Sequence, residues 1–142
     1  MPEKSSHLVF QKYGDAFISI NNVEYVLEDF LYVKGRLNQV HEELRDKLLK
    51  NATLERKYNL AKNLIADQKI KKDIEVIIGK RQRLAHHLLV PHADKKGEMT
   101  GEWSFISGED VEKLDENFFD ETIKLANNIV DKLLESYAHE NI

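Results

Sequence analysis

With 142 residues, a formal net charge of −4, 42% hydrophobic and 32% charged residues, the chain has the length of one domain and an ordinary globular balance. The absence of cysteine excludes disulfides, thiol nucleophiles and cysteine-based zinc sites. No apolar run approaches the roughly 18–20 residues that span a bilayer, and Met1 to Ser6 holds no apolar signal segment, so a cytoplasmic protein with no membrane partner is expected.

Proline occurs only at Pro2 and Pro91, and between them stand only three glycines, Gly14, Gly35 and Gly79. A glycine costs a helix only about 1 kcal/mol relative to alanine, so long helices are expected. The first segment runs from about Leu8 to about Lys50 with an interruption near Gly35, and Phe10, Phe17, Ile20, Val23, Leu27, Phe30 and Leu31 recur at helical spacing. The second, about Thr53 to Ala66, places Leu54, Tyr58, Ala61 and Ile65 on one face. The third, about Lys69 to Leu89, carries Ile70, Ile74, Ile77, Leu84 and Leu88.

Val90 to Gly108 is rich in glycine and charge and predicts an irregular loop or short hairpin, with Trp103-Ser104-Phe105-Ile106 as a short strand or an ordered loop packed on the bundle. The last helix is expected to begin at Ser107, where Ser-Gly-Glu-Asp resembles a capping box, and to run through Val111, Leu114, Phe118 and Ile129 to about Tyr137. The pattern predicts a single all-α domain over 1–142, an antiparallel bundle of four or five helices.

Charge is uneven along this layout. Lys69, Lys71, Lys72, Lys80, Arg81 and Arg83 gather ahead of His86 and His87, while the chain from Glu109 onward is acidic. A local basic surface focuses an anionic substrate even on an acidic protein. Arg81 falls in the centre of the stripe drawn by Ile70, Ile74, Ile77, Leu84 and Leu88. A buried arginine without a partner is costly, so it is expected to meet an acidic side chain, a cleft or a second protomer. On an ideal helix His86 points about 140° away from Arg81, whereas Arg83 and His87 share a face. Helix geometry alone does not choose between His86 and His87.

Arg81-Gln82-Arg83-Leu84-Ala85-His86 resembles the signature of the HEPN superfamily: an arginine, four to six residues, then a histidine, often written Arg-Asn-x-x-Ala-His. Arginine, alanine and histidine match, and Gln82 stands where the family usually has a small polar residue such as asparagine. Beyond the motif the resemblance is topological: a helical domain of this size with the motif late in the third segment and a long helix after it. It implies a homodimer in which two motifs form one composite site, a metal-independent endoribonuclease without cofactor, and a place among toxins or defence effectors. Arg81 and His86 would then be catalytic, the first on the scissile phosphate and the second as general acid or base, with Gln82 supporting. Lys80, Arg83 and His87 are the candidate RNA-binding residues, and an antitoxin or regulatory protein is a possible partner. The other reading is a non-catalytic HEPN-like module, antitoxin-like or nucleotide-binding.

Two further readings carry less weight. His86, His87, His92 and Asp94 contain enough imidazole and carboxylate for zinc or iron, but adjacent histidines on a helix diverge by about 100°. Trp103 is a candidate to stack on an RNA base, although a lone tryptophan in a loop is more often a packing anchor.

Overall fold

The structure, a computed structural model, describes residues 2–107, 110–115 and 117–138. Five helices dominate it: α1 (Pro2–Val33), α2 (Glu42–Leu49), α3 (Leu54–Ala61), α4 (Gln68–His86) and α5 (Phe118–Tyr137). Between α4 and α5 lies an antiparallel sheet of β1 (Leu88–Ala93), β2 (Met99–Ser107) and β3 (Asp110–Lys113), in that spatial order. The fold is therefore mainly α, and the all-α expectation is corrected by the sheet.

Local chemistry accounts for most of the boundaries. The break expected near Gly35 is present: Arg36 takes a left-handed backbone at φ 55°, and a β-carbon on Gly35 would stand 2.7 Å from the Leu31 carbonyl oxygen. Thr53 caps α3 by accepting the Arg56 amide at 3.2 Å, and Asp67 caps α4 by accepting the amides of Lys69 and Ile70. The hairpin between β1 and β2 turns on Asp94, whose Oδ1 accepts the amides of Lys96 and Glu98, with Gly97 at φ 82°. Pro91, which lacks a ladder donor, lies on the edge strand β1 beside an irregularity in register.

The last helix starts at Phe118 and not at Ser107. Asp110 to Lys113 pair with β2 instead, Ser107 opposite Asp110 and Phe105 opposite Glu112. A capping box needs a helix to cap; cross-strand pairing prevails here, and Gly108 and Glu109 lie outside the described residues. Likewise α4 stops at His86, and Leu88 and Leu89 belong to β1.

The core is built on α1 and α5. Ile20, Val23, Leu27, Phe30 and Leu31 of α1 pack with Phe119, Ala126, Ile129 and Leu133 of α5, all buried. Phe10, placed with them by periodicity, is 57% exposed because it lies on the outer side of α1. The two helices run parallel: Lys12 pairs with Asp120 at 3.0 Å near their starts, and the Phe30 and Tyr137 rings meet 6.2 Å apart near their ends. Helix α4 runs against them, with Ile70 beside Phe30 and Leu133 and its last turn beside Tyr13. The antiparallel expectation thus holds for α4 and fails for α1 with α5. Leu54, Tyr58, Ala61 and Ile65, predicted on one face, are all buried.

Candidate functional site

The arginine–histidine motif occupies the last two turns of α4. Arg81 is half-buried on the stripe between Ile77 and Leu84, as its helical angle predicts. Its Nε is shielded from solvent without a hydrogen-bond partner, and no carboxylate among the described residues forms an ion pair with it. The acidic partner expected for it within the chain is not found among those residues. An unsatisfied buried donor costs about 1–3 kcal/mol, so this side chain stands unpaired at a measurable cost.

His86 is the last residue of α4 and is exposed. Gln82, one turn earlier, is also exposed, and the i, i+4 spacing puts the two on one face. Arg81 and His86 belong to different faces of the same helix, so one protomer does not aim both at a single point.

The three residues proposed to touch RNA are engaged within the fold. Arg83 packs against two touching rings, its guanidinium carbon 4.9 Å from the Phe105 centroid and 4.8 Å from that of Phe118. Its Nη2 pairs with Glu112 Oε2 at 3.0 Å, and its Nε is buried without a partner. Lys80 places its ammonium 4.4 Å from the centroid of the same Phe118 ring. Burial pushes the Lys80 ammonium below the usual lysine range, and Arg83 adds to this while Glu121 and Asp115 oppose it. His87 caps α4, donates its amide to the Arg83 carbonyl at 3.0 Å, and turns its ring edge toward Phe105. Tyr13 of α1 donates its hydroxyl to the Leu84 carbonyl in the same turn.

The sequence did not expose Phe105, Phe118, Glu112 or Tyr13 as neighbours of the motif. They come from four other elements and share no spacing with it; only the alternation of Trp103 and Phe105 on one face of β2 carried a local signal.

The metal reading gains nothing. Among the described residues no three His, Asp or Glu gather as a metal-binding group, Asp94 Oδ1 is occupied by its turn, and the His92 side chain is not described. Trp103 is buried, meets Phe10 edge-on at 5.4 Å, and lines a groove of about 890 Å³ between α1, the sheet and the start of α5. That is the packing role. Ion pairs from Lys12 to Asp120 and from Lys113 to Glu102 stand on the groove's rims. No helix among the described residues is long and apolar enough to cross a membrane.

No protein family, curated protein or solved structure matches the chain.

Proposed function

We propose that the chain is a metal-independent endoribonuclease of the HEPN type, with Arg81 and His86 as catalytic residues of a site completed by a second copy. The observation that carries this reading is the Arg81 guanidinium in an otherwise apolar stripe, its Nε buried without a partner and no ion pair to it among the described residues. A cation kept half-buried with no ion pair to a carboxylate among the described residues suits a transient anion better than a structural role. A phosphate fits its planar fork bidentately. The exposed imidazole of His86 supplies the proton-moving group.

In this reading His86 takes the proton from a ribose 2′-hydroxyl, whose oxygen attacks the adjacent phosphorus. The 5′-oxygen leaves and takes up a proton, giving a 2′,3′-cyclic phosphate and a 5′-hydroxyl end. Arg81 stabilises the charge that builds on the phosphoryl oxygens, and Gln82, on the face of His86, orients the histidine or the phosphate. The divergence of Arg81 and His86 on one helix is the reason for a second copy: each phosphate would then meet groups from both chains.

The test is incubation of the purified protein with labelled structured RNA in EDTA, beside Arg81→Ala and His86→Ala. Wild type is expected to cleave to cyclic phosphate ends, and each variant to lose about 100-fold or more. Cleavage by Arg81→Ala at the wild-type rate overturns the assignment. A folded dimer that cleaves nothing shifts the reading to a binding or regulatory module of the same fold.

A further inference from the structure

We propose that Arg83 is a positioning residue, holding the last turn of α4 and thereby His86 against the sheet, and that it is not a contact to RNA. The catalytic half of this inference rests on the ribonuclease reading; the structural half does not.

The surroundings of Arg83 leave it little to offer a nucleic acid. Its guanidinium sits against the angle where the Phe105 and Phe118 rings meet, so the side turned to those rings is closed to a base. Its charge is met by Glu112, and only 28% of its side chain is exposed. The same contacts make it an anchor. Phe105 and Glu112 are directly paired across β2 and β3, so their side chains leave the sheet on one face and take the arginine together. The carbonyl of Arg83 closes the final helical turn by accepting the His87 amide. On the other side of His86 the chain enters β1 at Leu88, which is registered against Ile106. His86 is therefore held between a clamped helical turn and a paired strand, with the Phe105–Glu112 row of the sheet and the adjacent Leu88–Ile106 pair setting the position of the turn.

A planar fork that packs against two rings while pairing with a carboxylate is not replaced by an ammonium, which makes Arg83→Lys the discriminating variant: it keeps the charge and removes the clamp. In the full chain, the ring resonances of His86 are recorded by NMR with the exposed His41, at the cap of α2, as internal control. The expected result is a shifted or broadened His86 signal with His41 unmoved. In the cleavage assay kcat is expected to fall about 100-fold, as a catalytic group displaced by about 1 Å loses, with KM and salt dependence unchanged. Glu112→Gln, on a largely exposed carboxylate, is expected to move both readouts in the same direction and carries the test if the lysine variant does not fold.

An unchanged His86 signal in both variants overturns the proposal. So does a raised KM with a log–log salt slope shallower by about 0.7, the mark of one lost phosphate contact on a single strand. If the wild type cleaves no RNA while the His86 signal still moves, the ribonuclease reading falls and the clamp stands.

Discussion

Replacing Arg81 by methionine is expected to make the protein more stable while removing the ribonuclease activity proposed for it. Methionine keeps a stem of similar length for the contacts along Ile77 and Leu84 and deletes the guanidinium whose Nε is buried without a partner. Removing a fully buried orphan donor returns about 1–3 kcal/mol; the side chain is half-buried, which brings the expected gain to about 1–2 kcal/mol. Arg81 lies before the last turn of α4, so loss of its attraction to the helix dipole opposes this by no more than about 0.3 kcal/mol. The net expectation is a gain of about 1 kcal/mol, or a Tm higher by about 2–4 °C for a chain of this size. Urea denaturation at matched protein concentration measures it, since an oligomer's apparent stability depends on concentration. A loss of 1 kcal/mol or more would mean that Arg81 is paired in the folded protein, and the argument for an anion site would fail with it.

Two other outcomes follow from geometry away from the motif. The Tyr58 hydroxyl, donating to Glu75 at 2.7 Å, has its pKa pushed up to about 12, first by burial and then by that carboxylate. A folded pKa above the unfolded value near 10 gives stability that is complete below pH 10 and lost as pH rises toward 12, about 2–3 kcal/mol in all. Denaturation series across that range should show Tyr58→Phe with a flatter profile, and equal slopes would refute the assignment. Gly35→Ala should cost about 1–3 kcal/mol, because its β-carbon would meet the Leu31 carbonyl at 2.7 Å; a variant as stable as wild type would show that the end of α1 relaxes freely.

Much of this fold is written in local spacing. The apolar stripes of α1, α3 and α4, the break near Gly35 and the half-buried place of Arg81 all follow from 100° per residue. What the spacing does not contain is pairing between distant segments. Asp110 to Lys113 carry too short a pattern to announce a strand, and they become one only because β2 stands beside them. The parallel course of α1 and α5 and the two rings beside Arg83 have the same origin: partners far apart in sequence meet only once the chain has folded. The motif itself was legible as residue types; the engagement of Arg83 with Phe105, Phe118 and Glu112 was not.

The pairing of α1 with α5 also sets an order on the birth of the protein. Lys12 and Asp120 are 108 positions apart, and at about 5–20 residues per second a ribosome needs roughly 5–20 s to travel from one to the other. Throughout that interval Ile20, Leu27 and Phe30 lack the cover that α5 gives them, because that helix has not been made. A nascent chain stalled before α5 would present this apolar face to chaperones, and release of the finished helix is the event that closes it.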